Sequence, residues 1–204
     1  MYTAGSVIFE FFLPIWAGTS RGDDTEHSCG PSLSESWWKM PSPWREHPKL
    51  QGRFHPESPD DLQVIVHDGG PHTSNREPEL VWVRVTECQD EVFSGLLLNK
   101  PAQLQSVAQG SLIQFIVPGG GPHPLQVTGQ YLQERSFWRL LTPCNKCGLS
   151  ELFDPPSRLL TGSFPGVTAD QLSPGFTFTT RCGWCGAGMV VRLKRTNWPW
   201  SVTS

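Results

Sequence analysis

The sequence predicts a mainly β fold, a β-rich α+β chain, and three observations carry that expectation. The 204 residues include 20 glycines and 19 prolines, with only 17% charged residues, a composition suited to short strands joined by turns. In the middle of the chain apolar residues recur every second position, the period of a half-buried strand. Near the C-terminus the second of two Cys-x-x-Cys-Gly turns sits between "FTFTTR" and "GMVVRLKR", both of β character.

The formal net charge is -3, so the chain as a whole is no attractor for nucleic acid or an anionic membrane, and any such binding has to be local. Four of the six cysteines fall in two tight pairs, and Cys29 and Cys88 stand alone. That pattern differs from the even scatter of a secreted disulfide framework and points to a cytoplasmic protein.

The opening "MYTAGSVIFEFFLPIWAGTS" is apolar, yet no Lys or Arg precedes Arg21 and Glu10 interrupts the run. It reads as a docking tail or a misassigned start rather than a cleaved signal, and it is too short for a membrane span of about 20 apolar residues. Residues 1–49 are expected to form a poorly ordered Pro/Ser/Trp-rich segment whose tryptophans, Trp37, Trp38 and Trp44, dock on the folded part.

The first strand is expected at "DDLQVIVHDGG", where Leu62, Val64 and Val66 alternate with Gln63, Ile65 and His67 and Gly69-Gly70-Pro71 makes the turn. A hairpin follows. Leu80, Trp82 and Arg84 take one side of its first strand and Val81, Val83 and Val85 the other, with a polar turn at Gln89-Asp90-Glu91 before "VFSGLLLN". Gly110 then turns into a strand from Leu112 to Val117, and Gly119 to Gly121 reads as a flexible hairpin loop. No Lys-Ser/Thr pair follows these glycines, so they make no phosphate cradle. Leu125 to Thr128 suits a strand, and Tyr131, Leu132, Arg135 and Trp138 recur at helical spacing, predicting a short helix or an irregular turn and then a strand into Cys144.

Trp82, Val83, Val85, Phe93, Gly95, Leu97, Asn99, Pro101, Leu104, Val107 and Gly110 form a pattern of strand, turn, strand and Gly-led strand. In these positions the segment from about 78 to 117 resembles the YegJ-like bacterial domain of unknown function. The resemblance implies a fold and no catalytic residues. It places a β-rich YegJ-like domain, a small partly open β-barrel or sheet, at 50–142.

Cys144-Asn145-Lys146-Cys147-Gly148 and Cys182-Gly183-Trp184-Cys185-Gly186 carry the chemistry. A two-residue spacer lets both thiolates reach one ion while the turn's amides face sulfur, so each turn reads as a zinc-ribbon knuckle. Four thiolates close a tetrahedral Zn²⁺ site and leave no position for substrate. Mononuclear iron, a redox pair and two disulfides are the competing readings. Redox chemistry is disfavoured because neither turn opens a helix after a strand. The 34 residues between Cys147 and Cys182 exceed the roughly 15–20 of compact ribbons, and the Pro-rich stretch from Phe153 to Gly175 is expected to absorb the excess as a loop. The zinc ribbon is assigned to 143–195, appended to the sheet domain with a division near Pro143, and 196–204 to a tail.

The remaining candidates are weaker. His55, Asp60, Asp61, His67, Asp68 and His72 lack a recognised ligand spacing and are expected to cap turns or sit on the surface, with an acid/base cluster as the enzymatic alternative. Cys88 has no nearby base and reads as a passive thiol. Arg181, Arg192, Lys194 and Arg195, with Trp184, are candidate contacts for nucleic acid or a protein partner.

The sequence therefore predicts a non-enzymatic zinc-binding adaptor or accessory subunit acting through protein-protein contacts, with one structural Zn²⁺, no membrane and no small-molecule substrate. The alternatives are a nucleic-acid-binding zinc-ribbon protein using the basic strand 181–195, and a bacterial immunity or regulatory factor for a dedicated partner.

Overall fold

A computed structural model describes residues 42–71, 73–167 and 171–194. Trp37, Trp38, Cys29, His72 and Arg195 lie outside the described residues.

The chain alternates as its sequence pattern requires. Strand β1 (Phe54–His55) leads into β2 (Ser58–Val66), then β3 (Glu79–Gln89), β4 (Val92–Leu97), β5 (Leu112–Ile116) and β6 (Leu125–Val127). These six pair in chain order, antiparallel throughout, as one sheet. The sheet curls until β6 meets β2 at a single parallel bridge, Ile65 opposite Leu125, with the Ile65 amide donating to the Pro124 carbonyl at 2.8 Å. It is a partly open sheet and stops short of a closed barrel.

The β3–β4 hairpin has the expected faces: Val81, Val83 and Val85 are buried, while Leu80 and Arg84 are exposed. Gln89 pairs with Val92, so Asp90 and Glu91 make a two-residue turn, with Asp90 at φ 54° as such hairpin turns demand. Gly95 marks a close backbone approach. A Cβ there would lie 2.4 Å from Val83 Cγ1 and 2.8 Å from the Arg84 carbonyl, so only glycine fits beside the register shift between Val85 and Glu87.

Leu62, Val64, Val66, Val81, Val83, Val85, Phe93, Leu97, Ile113 and Phe115 fill the concave side of the sheet together with Leu50 and Leu104. Residues 42–49, assigned from sequence to the loose N-terminal segment, dock on this core. Trp44 packs against it and donates its indole N–H to Asp60 at 2.9 Å, while Arg45 forms a two-point ion pair with the same carboxylate.

After β6, Thr128 accepts the Tyr131 amide and starts helix α1 (Gly129–Glu134), a normal N-cap. Strand β7 (Trp138–Leu140) follows, then helix α2 (Pro156–Ser163) and strands β8 (Thr177–Arg181) and β9 (Gly188–Leu193). A second sheet has the order β7-β9-β8. The expected division near Pro143 thus falls between β7 and its sheet partner β9, and all described residues belong to one compact unit.

The 34-residue interval between the knuckles is not the plain loop that its prolines predict. Pro156 stands at the first helical position, where its missing N–H is harmless. Glu134, 3% exposed, accepts the Ser157 amide at 2.8 Å and caps the helix from α1. Leu159 and Leu160 then turn into the core, so local proline chemistry starts a helix there instead of preventing one. Among the described residues no helix is long and apolar enough to cross a membrane.

Candidate metal centre

The two knuckles meet. The Sγ atoms of Cys144, Cys147, Cys182 and Cys185 all lie within 4.8 Å of one another. Between the knuckles Cys144 Sγ lies 3.4 Å from Cys185 Sγ, and Cys147 Sγ lies 3.6 Å from Cys182 Sγ. Four thiolates about 2.3 Å from a tetrahedral ion stand about 3.8 Å apart, and a disulfide requires about 2.05 Å. The cysteines are free thiols in the arrangement of one metal site, and the two-disulfide reading is set aside.

Each knuckle is built by the same local bonds. The Gly148 amide donates to the Cys144 carbonyl at 2.8 Å, and the Cys144 amide to the Leu149 carbonyl at 2.8 Å. In the second turn Gly186 and Cys182 repeat this pair with Cys182 and Ala187, at 2.9 and 2.7 Å. Gly148 and Gly186 have φ of +76° and +73°, the left-handed conformation that glycine adopts without strain, which explains the glycine after each second cysteine.

The turns also aim amides at sulfur. Burial pushes the Cys144 thiol up, but the amides of Cys147 and Lys146 and the Cys185 thiol outweigh it and bring Cys144 down to about 7. Burial holds Cys147 above the ordinary thiol range. It raises Cys182 further, although the Cys185 and Trp184 amides oppose it. N–H groups directed at buried sulfur are the surroundings in which thiolates bind a soft or borderline ion.

The centre is tied to the six-stranded sheet by a second core. Cys144 and Cys182 are buried with Ile65, Ile116, Leu125 and Val127 of the sheet and with Phe178, Met189 and Val191 of β8 and β9. Ile65 and His67 occupy the face of β2 opposite Val64 and Val66, so the end of this strand is buried on both sides. The Gly119–Gly121 loop, expected to be a flexible hairpin tip, is the seat of the first knuckle. Ser150 donates to the Gly119 carbonyl at 2.8 Å, and a Cβ on Gly120 would lie 2.8 Å from the Gly148 carbonyl. On the other side Phe153 wedges under the second knuckle, where a Cβ on Gly183 would lie 2.3 Å from its ring. Phe153 stacks on His67 with centroids 4.3 Å apart, and the neighbouring Asp154 accepts the Gly70 amide at 2.6 Å and the Thr73 hydroxyl at 2.8 Å.

The histidine and aspartate residues near β2 are each engaged separately. His67 is buried rather than on the surface: Nδ1 accepts the Gly69 amide at 3.0 Å, so Nε2 carries the proton and donates to the Gln126 carbonyl at 3.1 Å. Burial lowers its pKa below the ordinary histidine value, and neither ring nitrogen is left for catalysis. Asp60 pairs with Arg45, Asp61 forms a two-point pair with Arg84, and His55 packs edge-on against Trp82. The Cys88 thiol is pushed up by burial and by Asp90.

Asp68 is a cap. It accepts the amides of Gln105 and Ser106, both at 2.9 Å, and pairs with Arg76. Burial opposes ionisation, yet the bonds from Ser106, Gln105 and Arg76 hold its pKa at about 2, below the unfolded value of about 3.9. A lowered folded pKa stabilises the fold fully above about pH 4 and loses that contribution as pH falls toward 2, by up to about 2 kcal/mol. Asp68→Asn should therefore lower the urea midpoint by a constant amount above pH 5, and the gap to the parent should close by pH 2. A gap that persists unchanged at low pH contradicts this account.

The candidate contact residues split. Arg181 and Arg192 lie on the outward face of the second sheet, where Arg192 is paired across strands with Arg139. Lys194 is exposed just beyond β9, and Trp184 is 36% exposed at the tip of the second knuckle. Sequence reasoning missed Arg139, because only the β7–β9 register brings it beside Arg192, and it missed the anchoring pair Phe153 and Asp154. Comparison with family models, with curated proteins and with solved structures finds no match for this chain.

Proposed function

We propose that the protein is a non-enzymatic adaptor or accessory subunit, held together by one structural Zn²⁺ and acting through contacts made by its C-terminal module. The observation that carries the reading is the cluster of four free thiols, two of them buried in a core shared with the sheet. A closed four-thiolate site stabilises structure and offers no open position to a substrate. The passive Cys88 and the fully bonded His67 are consistent with a role outside catalysis.

Zinc is proposed over iron because this borderline-soft, redox-inert ion takes four thiolates in a closed tetrahedral site. The alternative of a bacterial immunity or regulatory factor for one dedicated partner rests on analogy alone. Elemental analysis and affinity capture from one preparation of tagged protein test the reading together. One equivalent of zinc with a stoichiometric protein partner is expected, whereas a metal-free, well-folded protein would end it.

A specific observation favours nucleic acid as the second reading. Arg139, Arg181, Arg192 and Lys194 make no ion pair among the described residues, and three of them share the outward sheet face. Binding of a single-stranded oligonucleotide that falls steeply with salt, and weakens when Arg181 and Arg192 are neutralised, is what this reading requires. Salt-insensitive or absent binding removes it.

A further inference from the structure

A cleft of about 640 Å³ lies between residues 69–71 and 74–78 on one side and the second knuckle on the other. The Gly70 amide is bonded to Asp154 and Arg76 is paired with Asp68 at 2.9 Å, while Pro71 and Pro78 restrict the backbone. The opposite wall is the knuckle itself, with Trp184 and Cys185 facing the opening.

Among the described lining residues one carboxylate has no counter-charge. The Arg76 charge is met by Asp68, whereas Glu77 is exposed and makes no ion pair among the described residues. Cys185 brings one edge of the metal centre to the cleft wall, and a Zn²⁺ ion held by four thiolates is a net dianion. Arg181, Arg192 and Lys194 do not line the cleft. The unpaired Glu77 carboxylate and the part-exposed Trp184 indole favour a cation over a phosphate or carboxylate, because an aromatic face attracts cations through its quadrupole.

We infer that the cleft binds a cationic side chain of a protein partner, a lysine or arginine laid over Trp184 with Glu77 as its counter-charge. This deepens the adaptor reading by naming the partner's chemistry, and it rests on the metal reading for part of the cleft's charge.

The test uses the full-length, metal-loaded protein and fluorescence anisotropy with three probes: a hexapeptide with two lysines among alanines and glycines, its glutamate counterpart, and an eight-residue oligothymidylate. The lysine peptide should bind best. Trp184→Ala and Glu77→Gln should each weaken it about fivefold or more, while Glu87→Gln, an exposed carboxylate on β3, should leave it unchanged. Should Trp184→Ala shed metal, Glu77→Gln alone decides, since Glu77 supplies no ligand to the centre. Tighter binding of the glutamate peptide or the oligonucleotide, or equal binding by both cleft variants and the parent, overturns the inference. A metal-loaded protein that ignores the lysine peptide overturns it while the metal reading stands; a protein without metal overturns both.

Discussion

Cys182→Ser, or removal of the metal by a chelator, should unfold the second sheet while the β3–β4 hairpin stays folded. Cys182 is fully buried and packs in a core with Cys144, Leu149, Phe153, Phe178 and Val191. On the proposed zinc reading, thiolate binding contributes on the order of 10 kcal/mol, comparable to a whole domain's stability, so strands β7, β8 and β9 should depend on it. The loss should spread along the shared core to β6 and α1, because Leu125, Val127 and Tyr131 pack in it. It should stop at the concave core lined by Val81, Val83, Val85 and Phe93, which touches no cysteine of the centre. Hydrogen exchange reads this directly: amides of β8 and β9 should exchange fast in the metal-free protein, and those of β3 and β4 slowly. Retained protection in β8 and β9 after complete metal removal would show that the thiols hold nothing together.

Phe153→Ala should be the next most damaging change, costing about 3–5 kcal/mol as a large buried aromatic lost from a packed site. Phe153 is 3% exposed, stacked on His67, and pressed against Gly183. Gly183→Ala forces a Cβ into that ring and should cost about 1–3 kcal/mol by overpacking. In the Phe153→Ala background the ring is gone, so the penalty of Gly183→Ala should shrink by 1 kcal/mol or more, a coupling expected only of residues in contact. Asn145, the exposed residue at the equivalent position of the first knuckle, should tolerate glycine with little change. Urea midpoints of the metal-saturated proteins give all four values, and additive penalties for the two sites would refute the wedge.

Much of the fold is legible in the sequence because strand period and turn residues act locally. Val81, Val83 and Val85 declare a buried face by spacing alone, Asp90-Glu91 declares a hairpin, and the helical spacing from Tyr131 holds only to Glu134, with Trp138 already in strand β7. The knuckles are equally local. Two cysteines with a two-residue spacer and a following glycine need only backbone geometry to point both sulfurs one way, and the Gly148 and Gly186 conformations account for that glycine. The interval after Cys147 was misread for the same local reason: consecutive prolines signal a loop, and only the cap from Glu134 and the burial of Leu159 and Leu160 turn them into a helix start.

By itself the sequence determined which residues form strands, which four sulfurs belong to one centre, and which cations are candidates for contact, because each follows from spacing within a few residues. The tertiary structure alone decided what those pieces lean on. It buried His67 between Phe153 and β6, turned the Gly119–Gly121 loop into the seat of the first knuckle, set Arg139 beside Arg192, and opened a cleft between Glu77 and Trp184. These are contacts between segments tens of residues apart, and a periodicity of two or of 3.6 carries no information about which distant segment a face will meet.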